Sequence, residues 1–273
     1  MLSRMLILLL PAASLLAVSV YETEIADWRR AREEALRAES GWLTVAGLFW
    51  LREGANRFGQ DPSNDIVLPG GPARAGSFEL HGGKVMVTIE GSTREMRPDS
   101  ADASKVGRLS LFVIKRSDKY GIRLKDPDSP QRRDFHGIDD FPAREEYRVT
   151  ARFVAAPKKI PILNVLGQTE QSECPGYALF RLHGEELRLY PILEDPHAKE
   201  LFFIFRDQTA AKETYGAGRF LYSDLPRDGQ VVLDFNKAEN PPCAFTPYAT
   251  CPLPPPENRL PVRIEAGEKK YGH

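Results

Sequence analysis

From residue 41 onward the apolar residues come in short runs separated by glycine-centred turns, and that spacing restricts the chain to a mainly β fold. Residues 78–80 and 84–89 flank Gly82-Gly83, a two-residue hairpin signature. Residues 109–115 and 120–125 flank a turn that contains Ser117 and Asp118. Tyr147, Val149, Ala151 and Phe153 alternate with Arg148, Thr150 and Arg152, the pattern of a half-buried strand. A further hairpin joins residues 177–182 to 186–190 across His183-Gly184. Residues 201–205 are continuously apolar between charges, which predicts a strand covered on both faces. Runs at 220–222, 231–235 and 260–264 complete the strands. A helix is predicted over residues 23–40, with Thr23 as its cap and Gly41 at its end. Ile25, Trp28, Ala35 and Leu36 form its apolar stripe, and Arg29, Arg30, Arg32, Glu33 and Glu34 its polar faces. The expected fold class is therefore mainly β, sandwich- or barrel-like, with one N-terminal amphipathic helix.

The first residues read as an export signal. Arg4 precedes an uncharged run over residues 5–18, and Ala17 and Ser19 are small residues at signal-peptidase spacing, so cleavage is expected after Ser19. The run falls short of the ~20 apolar residues a spanning helix needs. Pro11 interrupts it, so no stable membrane span is expected. The expected location is periplasmic or secreted, and cytoplasmic if the run is no leader. Lys and Arg number 37 against 38 Asp and Glu, so the chain lacks the basic excess of a nucleic-acid reader. Of the three cysteines, Cys243 and Cys251 flank a short proline-laden loop and are the natural disulfide pair. Closing so small a loop contributes about 2.5 kcal/mol by chain-entropy reasoning. Cys174 reads as a buried small hydrophobe.

Pro127, Pro130 and Pro142, set among charges, mark a boundary within residues 126–142. The expected organisation is a leader at 1–19, a helix with a small β-sandwich at 20–130, and a barrel-like domain with a proline-rich strap at 131–273. The two parts sharing one core is the alternative. Residues 51–68, LREGANRFGQDPSNDIVL, resemble the opening of a forkhead-associated domain, which implies a small sandwich shape. Gln60 stands where that family places an arginine, and no serine–histidine pair follows over residues 73–80. Phosphothreonine binding is therefore not implied, and Asp61, Pro62, Ser63 and Asn64 read as a polar turn.

The C-terminal third carries the longest motifs. It contains Phe205-Arg206-Asp207-Gln208-Thr209, Glu213-Thr214-Tyr215-Gly216, Gly218-Arg219-Phe220-Leu221 and Leu233-Asp234-Phe235-Asn236-Lys237-Ala238. Asn240-Pro241-Pro242-Cys243-Ala244, Cys251-Pro252-Leu253-Pro254, Asn258-Arg259-Leu260-Pro261 and Ala266-Gly267-Glu268-Lys269 follow. This series resembles the bacterial and archaeal domain-of-unknown-function family DUF1684, from about Trp28 to Lys269. Membership implies no activity.

Read as chemistry, Asp207, Glu213 and Asp234 are the candidate catalytic carboxylates, a pair of which would act as general acid and base in a hydrolase-like enzyme. The same three suit a hard cation such as calcium. Thr209, Tyr215, Arg219, Asn236 and Asn240 are the candidate ligand-binding residues. Structural roles compete with both readings: Arg206 and Arg219 would pair with the acids, while Thr209 and Asn240 would satisfy turn backbone. Eight prolines between residues 241 and 261 exclude an interior strand and suggest a strap that covers a sheet edge or walls a site with Phe245 and Tyr248. His81, His136, His183 and His197 have no zinc spacing, with His136 the better site candidate. No nucleophile elbow or phosphate loop occurs. Binding of a small polar ligand near the C-terminal motifs is the favoured reading, ahead of a hydrolase-like enzyme and a structural envelope protein. Neither cofactor nor oligomeric state is legible.

Overall fold

The structure, a computed structural model, describes residues 19–272. The apolar leader run at residues 5–18 lies outside them. Helix α1 (Val20–Arg37) starts a turn earlier than its stripe predicts, because Ser19 and Glu22 form a capping box. Ser19 Oγ accepts the Glu22 N–H at 3.0 Å, and the Glu22 carboxylate accepts the Ser19 N–H at 2.8 Å. Thr23 sits inside the first turn and donates its hydroxyl back to the Ser19 carbonyl. The helix ends on Ala38, and Gly41 passes so close beneath it that a Cβ there would collide with the Leu36 carbonyl oxygen. Tyr21, Ile25 and Leu36 are buried, Trp28 is half-buried and Ala35 is exposed. Arg29 and Arg32, four and seven residues after Ile25, share this inward face.

Nine strands follow: β1 (Val45–Trp50), β2 (Gly54–Gly59), β3 (Ile66–Val67), β4 (Gly76–His81), β5 (Lys84–Ile89), β6 (Ser92–Met96), β7 (Ala103–Val106), β8 (Leu109–Arg116) and β9 (Lys119–Lys125). They form two sheets, ordered β3-β2-β4-β5-β6 and β1-β9-β8-β7. Phe58, Phe78, Val85 and Val87 of the first meet Leu109, Leu111, Val113 and Ile122 of the second in one apolar cluster, as the alternation requires. The polar turn at residues 61–65 is occupied with its own strands. Asp61 accepts the Ser63 N–H at 2.8 Å, Asn64 donates to the Ala73 carbonyl at 2.8 Å and Asp65 accepts the Arg57 N–H at 2.9 Å.

A short helix α2 (Pro130–Arg133) leads to β10 (Arg148–Leu163), β11 (Thr169–Leu182), β12 (Glu185–Leu189), β13 (Glu200–Phe205), β14 (Arg219–Asp224) and β15 (Gln230–Asp234). β10 and β11 form a long hairpin, extended by β12 and β15 into the sheet β12-β11-β10-β15. His183 and Gly184 make the β11–β12 turn with φ of 50° and 83°, as a tight two-residue turn demands. β13 and β14 pair only with each other, and every apolar residue of β13 is buried, as its uninterrupted run predicts.

Among the described residues the mainly β fold has the expected sheets, and in this half they do not close into a barrel. β15 is five residues long and pairs with residues 148–152 at one end of β10, while β14 turns away to β13, so the sheet keeps two edges. Residues 260–264 are also not a ladder strand. Pro261 has no N–H to give, and the one parallel bridge beside the segment is made by Arg259, which precedes it, with Arg206. The strap crosses from Asn240 with its Cys243–Cys251 disulfide in place. It bonds the tip of the β10–β11 hairpin through Leu253 N–H to the Leu163 carbonyl at 2.7 Å. Asn258 donates to the carbonyls of Tyr190 and Ile204, tying β13 to the end of β12. The strap also reaches the N-terminal sheets, where the Thr246 hydroxyl donates to the Val45 carbonyl at 3.0 Å. Cys174 is buried, as expected of a small hydrophobe.

Candidate functional site

The sequence-selected acids go to three different places. Asp207 is buried and saturated. Its carboxylate accepts the Thr209 hydroxyl at 2.9 Å, the Ile264 N–H at 2.7 Å and Arg219 Nη2 at 3.2 Å. Arg219 in turn donates to the carbonyls of Ile264 and Ala266 and lies over the Phe205 ring. Thr209 also bonds the Thr214 hydroxyl. These residues clamp the C-terminal segment onto β13 and β14, and no acceptor on Asp207 is left for a substrate. Glu213 lies at the surface, paired with Arg263 at 2.7 Å. Tyr215 donates to the Cys243 carbonyl. Asn240 accepts nothing with its buried side-chain oxygen, and donates its N–H to Glu268 and its amide to the Lys269 carbonyl. Among the described residues no three His, Cys, Asp or Glu side chains are grouped to hold a metal ion, so a calcium site from Asp207, Glu213 and Asp234 is not formed.

Asp234 is different, because it lines a cleft. β14 and β15 are joined by a tight turn, Asp228 and Gly229 both having positive φ, yet each pairs with another strand. The two strands therefore splay. Phe220 and Glu239 exchange backbone hydrogen bonds at 2.9 Å and close the far end. Between them is an open cavity of about 760 Å³, whose lining includes Trp28 of α1, Thr150, Tyr222, Val232, Asp234, Lys237 and Glu239. The Tyr222 ring is stacked on Phe202, with centroids 4.8 Å apart and planes 10° apart, which fixes its face. Asp234 Oδ1 accepts the Tyr21 hydroxyl at 2.7 Å and the Asn236 amide at 3.2 Å. Asn236 continues the chain of bonds to the Arg144 backbone, so it positions Asp234 from behind. Asp234 Oδ2 is buried without a hydrogen bond.

Beneath this cleft sits an ionic cluster that sequence reasoning missed. Arg32 Nε lies 3.0 Å from Glu268 and 3.2 Å from Glu239, and its Nη2 donates to the Asn240 carbonyl at 3.0 Å. Arg29 pairs with Asp140 at 3.4 Å and donates to the Phe141 carbonyl at 2.8 Å. Burial pushes the Glu239 carboxyl up to about 7, with Arg32 opposing and the Glu268 charge adding. Burial likewise raises Asp140 to about 7, against the pull of Arg29. Glu268 is raised by the same cause. The available signal was positional: Arg29 and Arg32 fall on the stripe of Ile25 and Leu36, where a helix turned to the core has no use for a charge without a buried partner.

The family model for a protein of unknown function, DUF1684, matches residues 133–269, which hold all of β10 to β15, the strap and most of the cleft. The match starts after α1, so the resemblance expected back to Trp28 lies outside it. The solution NMR structure of an uncharacterized protein of Haloarcula marismortui is 32% identical, over 53% of this chain and 82% of that one, with a TM-score of 0.44. No curated protein matches the chain.

Two outcomes follow from the geometry. Asp207→Ala leaves Arg219 buried without its partner and should cost about 3–5 kcal/mol in chemical denaturation. Glu213→Ala should stay within about 0.5 kcal/mol. Equal costs would remove the distinction between clamp and surface pair. Glu239 and Asp140 hold protons in the folded state that the unfolded chain, at its ordinary 4.5 and 3.8, releases. Stability from these groups is greatest below about pH 4 and falls as pH rises toward about 7. The melting temperature should therefore drop between pH 5 and pH 8, and Glu239→Gln with Asp140→Asn should flatten that slope. A slope unchanged in the double variant would contradict the assignment. The residues matched are half of the chain, and by them this protein is a member of the DUF1684 family.

Proposed function

We propose that this protein binds a small polar ligand in the cleft between α1, β14 and β15. The observation that carries the reading is the cleft itself. Its volume of about 760 Å³ lies in the range of small-molecule sites, roughly 300–1,000 Å³. Its lining combines two aromatic side chains, Trp28 and Tyr222, with polar ones, above all Asp234, whose buried Oδ2 has no hydrogen bond. A hydrolase-like reading through Asp207, Glu213 and Asp234 has less support, since Asp207 is saturated and Glu213 is held by Arg263 at the surface.

The reading includes export. What supports it is the Arg4-led apolar run ending in Ala17 and Ser19, together with the Cys243–Cys251 disulfide, a bond at home in an oxidising compartment. Cleavage after Ser19 would remove the capping residue of α1 with the leader, so the processed mass also reports whether the helix keeps its cap.

Native and denaturing mass spectrometry of protein expressed with its full N-terminus tests both parts. The expected denatured mass begins at Val20 and is two hydrogens lighter than the reduced chain. The native mass should carry a small molecule that denaturation releases and Tyr222→Ala fails to retain. A full-length reduced mass would overturn export. A bare native mass, with no thermal shift from a library of small polar compounds, would overturn ligand binding.

A further inference from the structure

We infer that the cleft ligand carries a primary ammonium group; this rests on the cleft being a ligand site. The charges around the opening are unbalanced toward the negative. Glu200 and Asp224 stand directly opposite each other across β13 and β14, both exposed, and among the described residues neither makes an ion pair. Like charges at paired ladder positions destabilise a sheet, so the fold gains nothing from this arrangement. Asp228 on the adjoining turn is a third exposed carboxylate of the lining. Of the cations in the lining, Lys237 lies 2.7 Å and Arg148 3.5 Å from Glu24, which leaves Arg227 to offset Glu200, Asp224, Asp228 and Asp234.

The floor adds a specific demand. The Asp234 side chain is 10% exposed, and its Oδ2 has no hydrogen bond, with Lys237 Nζ at 4.0 Å. A buried carboxylate oxygen without a donor is costly, and a ligand N–H placed there removes the deficit. An ammonium group meets both requirements, since it supplies donors to Asp234 and charge to the Glu200–Asp224 pair. The aromatic residues of the lining agree, because aromatic rings attract cations, and stacking on Phe202 holds the Tyr222 ring in place. A metal ion is a poorer occupant, as no three ligating side chains are grouped among the described residues.

The test uses the full chain, isotopically labelled and titrated at low salt with butylammonium, butan-1-ol and butyrate, which share a carbon skeleton and differ in charge. The Trp28 indole N–H signal, assigned with Trp28→Phe, and the amides of residues 222–228 report the cleft. Butylammonium should bind about tenfold more tightly than the alcohol, and butyrate should not bind. The double variant Glu200→Gln/Asp224→Asn, altered only at exposed positions, should melt at or slightly above the temperature of the natural chain, because the like-charge pair is gone, and should lose about tenfold in butylammonium affinity. Equal binding of alcohol or butyrate at the cleft would overturn the ammonium inference and leave the ligand cleft standing. An unaltered affinity in the double variant would overturn it as well. Silence of the cleft signals to all three probes would overturn the inference and the ligand reading together.

Discussion

Arg32 ties the beginning of the chain to its end. One guanidinium on α1 meets Glu239, Glu268 and the Asn240 carbonyl, all more than 200 residues later in sequence. Burying a charge is costly unless it is paired and hydrogen-bonded, and Arg32 is both. It also faces two carboxylates, so the cluster carries one more acid than it can neutralise. Burial is the main reason that Glu239 and Glu268 titrate above their ordinary range; the Glu268 charge adds to the shift of Glu239, and the cluster favours a partly protonated state. Removal of one partner from such a group typically costs about 3–5 kcal/mol. The position of α1, and with it the Trp28 wall of the cleft, depends on this group of contacts.

The strand pattern was legible because alternation and turn chemistry are local. Gly82-Gly83, Ser117-Asp118 and His183-Gly184 each mark a hairpin that forms, since a positive φ at a tight turn is written in the residues that tolerate it. What local pattern could not supply was which strands pair over distance. β14 and β15 look like a hairpin in sequence, and their divergence to β13 and β10 is a tertiary choice. That divergence opens the cleft and leaves the C-terminal half without a closed barrel. Residues 260–264 show the converse: an apolar run with a proline in it resembles a strand, and its missing N–H leaves it a strap.

The site was less legible than the fold, for an electrostatic reason. Asp207, Thr209 and Arg219 stand out in sequence because buried clamps and functional sites use the same polar residues, and only geometry shows that every acceptor on Asp207 is taken. Asp234 and Asn236 were selected on the same grounds, and they reach the cleft or support it. Trp28 and Arg32 were passed over for opposite causes. The tryptophan fits an apolar stripe too well to suggest a cleft wall, and the arginine reads as a solvent-facing charge because its partners lie at the other end of the chain.

The central claim, that the Arg32 cluster holds α1 in place over the sheets and so builds the cleft, is tested most directly by amide hydrogen exchange in Arg32→Met. The account predicts that α1 amides exchange about a hundredfold faster than in the natural chain while β8 and β9 keep their protection. Unchanged protection in α1 would contradict it, and would mean that the apolar contacts of Tyr21, Ile25 and Leu36 suffice to hold the helix.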